Sequence, residues 1–214
     1  MTGTETLGSF TLRQREDLPK VSRDSLLLAS FATLRKGWRV FDLGCGVGVL
    51  ALALARREEG LTLDGMDLQA ECAGLARQNL KDNGLTGTIR QGDVADPPVL
   101  DWGSYDLVIS NPPYFFASAG KTAPGPRGIA RTGDGLDSWC SLAGRLLRNG
   151  GRFALCTRPA GLNALFHALT AAGLEPKRLQ CVQSAGDRGA NLVLVEALRQ
   201  GRPGLEMAPV LIVR

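Results

Sequence analysis

The residues best equipped for chemistry in this chain are Asn111-Pro112-Pro113-Tyr114, which close the hydrophobic run "YDLVIS" in "YDLVISNPPYF". Proline lacks an N–H and biases the residue before it towards extended backbone, so Asn111 should leave its strand in a fixed direction. The second proline stiffens the turn. Such a turn holds a side-chain amide and the Pro112 carbonyl side by side, both able to accept hydrogen bonds from one planar amino group. Tyr114 can stack on the plane that carries that group. A rigid turn without chemistry would use the same residues, so the reading depends on what the rest of the chain supplies for them to face.

A second constellation lies upstream in "VFDLGCGVGVLALALARR". A strand delivers Asp42, and Gly44, Gly46 and Gly48 then turn tightly into a helix. Glycines there let backbone approach a ligand closely. A dinucleotide fingerprint reads G-x-G-x-x-G with diphosphate at the helix start. Here the spacing is G-x-G-x-G behind an acid. Asp67 ends the next strand, 21 residues beyond Gly46, where an acid can hydrogen-bond ribose hydroxyls. Asp93 closes the third, in "QGDV". With their successors Leu68 and Val94, these acids line the sheet edge on which open α/β sheets bind ligands.

The glycine pattern resembles motif I of class I S-adenosylmethionine-dependent methyltransferases. The acidic strand ends suit a ligand carrying a sulfonium and an ammonium, and the resemblance implies that Asp93 contacts the adenine ring, with Leu68 and Val94 also beside the cofactor. "NPPY" resembles motif IV, [DNS]-P-P-[YFW], of amino-methyltransferases. An exocyclic or amide nitrogen is a weak nucleophile because its lone pair is delocalised. Holding its hydrogens on Asn111 and the Pro112 carbonyl favours pyramidalisation without a strong base. Further segments, "QREDLPKVSRDSLLLASFA", "GIAR", "GLEPKRLQCV" and "ANLVLVEALRQGRPGLEMAPVLIVR", resemble the tRNA1(Val) adenine-N6 methyltransferase family from about Gln14 to Ile212. The resemblance implies N6-methylation of the adenine beside the tRNA anticodon. Asn111, Pro112 and Tyr114 would act on the amine, and Asn111 would also border the cofactor. A protein-glutamine N5-methyltransferase and a ribosomal-RNA guanine-N2 methyltransferase share NPPY. The first normally has a separate N-terminal domain, for which too few residues precede the first strand here. The second often has a duplicated domain. A methyltransferase-like RNA-binding module without activity is the non-enzymatic alternative.

These residues need a scaffold, and the alternation of elements describes one. Strands are expected at 38–43, 61–67, 88–94, 105–110, 152–157, 177–182 and 191–198. Helices are expected at 48–57, 69–83, 136–148 and 161–172, with "NGLTG" and "RNGG" as glycine stops. This predicts an α/β fold, Rossmann-like, with a doubly wound, mostly parallel seven-stranded sheet. No helix separates the last two strands, so the sheet should end in a hairpin with one antiparallel strand. We expect one domain over 1–214. Its segment 1–37 contains a helix in "DLPKVSRDSLLLASFATLRKG", capped by Ser22 or Asp24, which covers the sheet or lids the cofactor site.

The segment 115–134, "FFASAGKTAPGPRGIARTGD", is too long for an ordinary connection. Beside Asn111 it reads as a substrate loop, in which Pro113 and Phe115 flank a target base and Lys121, Arg127 and Arg131 meet phosphates. Those three cations read almost equally well as solubilising charges. Lys177, Arg178, Arg199 and Arg202 are weaker candidates for the same contacts.

Composition narrows the classes further. The formal charge is +4 with a pI near 9.0, which is mild evidence for a polyanionic partner such as tRNA. Five cysteines without a C-x-x-C argue against a disulfide framework or a zinc site, so no metal is expected. The single histidine, His167, gives a Ser-His-Asp mechanism nothing to build on. No apolar run is long enough for a membrane span, and "MTGTETLGSF" carries no secretory signal, so a cytoplasmic protein is expected.

Overall fold

The computed structural model describes residues 2–18, 21–113, 134–184 and 189–213. Within these residues a hairpin of β1 (Thr2–Leu7) and β2 (Phe10–Arg15) precedes α1 (Arg23–Phe31). There follow β3 (Arg39–Leu43), α2 (Val49–Ala55), β4 (Thr62–Asp67), α3 (Ala70–Asp82), β5 (Ile89–Gln91) and β6 (Tyr105–Ser110). Then come α4 (Asp134–Leu146), β7 (Leu147–Thr157), α5 (Leu162–Ala171), β8 (Leu174–Gln183) and β9 (Leu192–Arg199). Two short strands, β10 (Glu206–Met207) and β11 (Leu211–Ile212), finish the described chain.

The central sheet runs β5-β4-β3-β6-β7-β9-β8, with β10 and β11 added along β8. β9 alone runs antiparallel to its neighbours, and it forms the expected hairpin with β8. Helices cover both faces. Leu28 and Phe31 of α1, Leu50 and Leu54 of α2, and Ala73 and Ala76 of α3 share one core; Leu142 and Leu146 of α4 and Leu165 and Leu169 of α5 share the other. β3 contributes Val40 to the first and Phe41 and Leu43 to the second, the alternation of a strand buried on both faces. All seven expected strands are present. The two short strands and the N-terminal hairpin come in addition.

Several boundaries moved for identifiable reasons. The strand expected over 88–94 stops at Gln91; Gly92 still donates to the Asp67 carbonyl at 3.0 Å, and beyond it the chain folds back so that Pro98 packs on Gly92, where a Cβ would lie 2.5 Å from the ring. The helix expected to reach Arg148 ends at Leu146, since Leu147 pairs with Tyr105 as the first residue of β7. β8 begins at Leu174 and accommodates Pro176 where its pairing with β9 shifts register. α1 is capped by Ser22, whose hydroxyl accepts the Ser25 N–H. It is shorter than the apolar pattern suggests: Thr33, two residues past its end, is held by buried Glu196, which accepts its N–H at 2.7 Å and its hydroxyl at 2.8 Å.

The hairpin is fixed to α3 by two asparagines. Asn79 accepts the Arg13 N–H at 2.8 Å and donates to the Arg13 carbonyl at 3.1 Å; Asn83 does the same for Thr11 at 2.8 and 2.7 Å. Four residues along a helix match two along a strand, so each side-chain amide imitates a neighbouring strand. Asn79 also donates to the Val47 carbonyl at 2.8 Å, inside the glycine turn, which connects the hairpin to that turn. Asn79→Ala leaves three backbone groups unpaired. It should lower stability by about 2–3 kcal/mol in urea titrations and speed amide exchange at Arg13. An unchanged midpoint would mean that the hairpin docks by apolar packing alone.

Candidate active site

The chain order of the central strands reverses between β3 and β6, and a parallel sheet opens a crevice at such a point, beyond its carboxyl ends. β3 pairs with β6 so that Asp42 lies opposite Ile109. One residue on, the Ser110 hydroxyl donates to the Leu43 carbonyl at 2.6 Å. Pairing therefore sets the glycine turn after β3 beside Asn111 after β6.

The turn is built by backbone. Gly44 and Cys45 both donate to the Met66 carbonyl at 2.9 Å, and Gly46 donates to the Asp67 carboxylate at 2.8 Å. Gly44, Gly46 and Gly48 all take left-handed backbone, with φ of +72°, +53° and +88°. Gly44 has a second reason to lack a side chain, because a Cβ there would lie 2.9 Å from the Trp139 ring. That ring, on α4, donates its indole N–H to Ser110 Oγ at 2.8 Å. Sequence reasoning missed Trp139, whose partners Gly44 and Ser110 are distant in sequence, so no local pattern pointed to it.

Three acids stand along this edge in different states. Asp67 accepts N–H groups from Gly46 and Gln69, at 2.8 and 2.9 Å. Burial raises its pKa, and those two N–H groups oppose the rise. Asp93 lies two residues past the end of β5, exposed, and accepts the Ala95 N–H at 2.9 Å. Asp42 is 1% exposed, and neither carboxylate oxygen has a hydrogen-bond partner among the described residues. Burial pushes its pKa up to about 8; the Asp67 charge adds to the rise, and the nearby Ala51 amide, too poorly placed to make a hydrogen bond, opposes it weakly. A buried carboxylate without a partner is destabilising unless a ligand supplies donors or positive charge. S-adenosylmethionine has both, so the donor set fits this cofactor. Of the neighbouring residues, Leu68 is exposed and Val94 packs against the α4/α5 core.

Asn111 is half-buried and held from two sides. Its Nδ2 donates to Ser22 Oγ at 3.1 Å and to Ser25 Oγ at 3.0 Å, and its Oδ1 accepts from Cys156 Sγ at 3.0 Å. Pro112 is buried and Pro113 half-buried beside it. Tyr114, Phe115, Lys121, Arg127 and Arg131, with the rest of the expected substrate loop before Asp134, lie outside the described residues. His167 is exposed on α5. All five cysteines are free, with Cys45, Cys72, Cys140 and Cys156 buried. Of the weaker RNA candidates, Arg178 is committed to the fold: it donates to the Phe31 carbonyl and to Thr33 Oγ1. Lys177 and Arg199 donate to backbone carbonyls of Arg202 and Leu147.

A sheet of this order, with a glycine turn and a partnerless buried acid at its switch point, defines a class I S-adenosylmethionine-dependent methyltransferase. Residues 20–157 match the family described as methyltransferase small domain. Solved structures of the same fold include a predicted O-methyltransferase from Agrobacterium tumefaciens, with TM-score 0.71 and 22% identity over 88% of this chain and 86% of that one. A methyltransferase from Pyrococcus furiosus aligns with TM-score 0.68 and 16% identity over 90% of each chain.

Closer likeness comes from proteins named tRNA1(Val) (adenine(37)-N6)-methyltransferase. That of Tolumonas auensis is 33% identical over 196 residues, covering 89% of this chain and 81% of the relative. That of Dickeya chrysanthemi is 34% identical over 159 residues, covering 72% and 62%. The chain belongs to this family.

Asp42 makes a pH prediction. Its pKa in the unliganded fold, about 8, lies above the ordinary carboxylate value near ~3.9 expected when unfolded. Folding therefore favours the protonated acid. The associated stability is intact below about pH 4 and is lost progressively as pH rises to about 8. Asp42→Asn should remove this loss, so the variant's melting temperature should gain on wild type between about pH 5 and pH 8. It should also bind S-adenosylmethionine far more weakly. A melting difference constant across that range would mean that Asp42 titrates as an ordinary carboxylate.

Proposed function

We propose that this enzyme transfers a methyl group to N6 of an adenine in tRNA, the anticodon-adjacent position being the first candidate. The observation carrying the reading is Asn111-Pro112-Pro113 beside the glycine turn, in a chain whose relatives bear that activity in their names. The bound cofactor supplies an electrophilic methyl on a sulfonium. Asp42 meets the cofactor's donors and positive charge. Asp67 keeps lone pairs beyond its two backbone bonds, and these accept ribose hydroxyls; Leu68, Asp93 and Val94 border the adenine ring.

Asn111 Oδ1 and the Pro112 carbonyl accept the hydrogens of the target amine. Drawn towards two acceptors, the nitrogen gives up planarity, and its lone pair becomes available for attack. Tyr114 stacks on the base, with Pro113 and Phe115 at its border. Lys121, Arg127 and Arg131 meet phosphates around a flipped nucleotide. The chain works as one catalytic unit in which segment 1–37 caps the site. A tRNA substrate and five free cysteines favour the cytoplasm.

The deciding experiment incubates the protein with labelled S-adenosylmethionine and unmodified total tRNA, followed by nucleoside mass spectrometry. Label is expected in N6-methyladenosine. Label in N2-methylguanosine, or only in a release-factor glutamine, would replace the adenine reading. Asn111→Ala should reduce kcat by roughly 100-fold or more while cofactor affinity stays near wild type. Parallel loss of affinity would remove Asn111 from the amine site.

Neutralising Lys121, Arg127 and Arg131 tests the loop. The slope of log K against log salt should become shallower by about 0.7–0.9 for each phosphate that the variant no longer neutralises. An unchanged slope would move the RNA surface elsewhere.

A further inference from the structure

Asn111 is gripped by side chains from two other elements: Ser22 and Ser25 at the start of α1, and Cys156 on β7. The hydrogen-bond inventory of this cluster allows one arrangement to be favoured. Ser22 Oγ accepts the Ser25 N–H at 3.0 Å and one Asn111 amide hydrogen, which fills its two lone pairs. The two serine oxygens are 2.8 Å apart, so the hydroxyl hydrogen between them belongs to Ser22. Ser25 Oγ accepts that hydrogen and also accepts from the Asn111 amide at 3.0 Å. The donor side of the amide thereby faces α1. On the other side burial raises the Cys156 thiol pKa, keeping it an S–H donor towards Oδ1. A carbonyl oxygen accepts twice, so Oδ1 has one lone pair left.

Turning the amide over would break this pattern. The amide nitrogen would then face the thiol hydrogen, and with one hydroxyl hydrogen kept between the two serines only one of them could donate towards Oδ1, so one of the two serine–amide bonds would be lost. For an amine target the two orientations are opposites. One offers an acceptor to the target hydrogens, and the other sets donor against donor.

We propose that Ser22 and Ser25 are positioning residues that hold the Asn111 side chain with its oxygen, rather than its nitrogen, available to the target amine. The assignment rests on Asn111 being an amine acceptor, as set out above. It makes the first turn of α1 part of the amine site, although neither serine need touch the substrate. The sequence shows no trace of this link, since 89 residues separate Ser22 from Asn111.

The test uses Ser25→Ala, which leaves the Ser22 cap in place. Ser22→Gly removes the other hydroxyl and keeps a residue tolerated at an N-cap. The Asn111 side-chain amide pair is identified in NMR spectra as the signal missing from Asn111→Asp. In both serine variants its hydrogen exchange should accelerate at least about tenfold. kcat should fall about tenfold, while the dissociation constant for S-adenosylmethionine stays within about twofold of wild type. Unchanged exchange in both variants overturns the proposal, as does full kcat with exchange accelerated. Cofactor affinity falling in step with kcat also overturns it, by making the serines structural supports of the cofactor site. Absence of tRNA label from wild-type protein would defeat the adenine reading, a separate failure; the exchange measurement would then decide alone whether the serines hold the amide.

Discussion

The parallel pairing of β3 with β6 is the constraint on which the site depends. Val40 to Asp42 run beside Leu107 to Ile109, and the shared edge ends where two different turns begin. One is a glycine turn held by carbonyl and carboxylate of β4; the other is an Asn-Pro-Pro corner. A slip of one residue would put Asp42 and Asn111 on opposite faces of the sheet instead of the one they share, because side chains alternate along a strand. Burial of Phe41 and Leu43 on one face and Val40 on the other makes such a slip costly. Apolar packing therefore sets where the chemistry is done, even though no apolar side chain of β3 takes part in it.

The buried polar groups divide into two kinds, and the division separates scaffold from site. Glu196 is fully buried and satisfied by Thr33 and Arg152, with Arg178 nearby; Asp64 is satisfied by Arg39, Tyr105 and the Thr88 N–H. Asn79 joins hairpin, helix and glycine turn. Each fastens two elements together and has its hydrogen bonds in place. Asp42 is buried as deeply and has no such partner among the described residues. The fold tolerates that deficit at one place, at the carboxyl edge of the sheet beside the glycine turn, where the proposed cofactor would remove it.

Much of this was legible in the sequence because it follows from periodicity and from residues with narrow backbone preferences. The seven strands came from apolar runs between glycine stops, and the glycine turn and Asn-Pro-Pro corner came from local geometry that few other residues allow. What could not be read depends on partners distant in sequence. The β1–β2 hairpin alternates only weakly, and its Gly8-Ser9 turn was its one local sign. Its docking on Asn79 and Asn83 requires knowing that α3 lies beside it. The early end of α1 is set by Glu196, 163 residues away from Thr33. Asp93 was placed at the end of a strand that stops short of it, because the folding back of the chain beyond Gly92 is invisible in a strand pattern.

The absence of a base from the proposed chemistry is consistent with these features. A delocalised amine needs its lone pair released more than it needs a proton removed first, since the proton becomes acidic once the nitrogen is alkylated. Two fixed acceptors achieve the release by geometry, which puts the catalytic demand on orientation rather than on pKa. Orientation of an amide is ambiguous in a way that orientation of a carboxylate is not, because its two ends have similar shape and opposite hydrogen-bonding sense. An asparagine in this role must therefore be held by partners that distinguish oxygen from nitrogen. Two serine oxygens already filled as acceptors on one side, and a protonated thiol on the other, make that distinction before any substrate arrives.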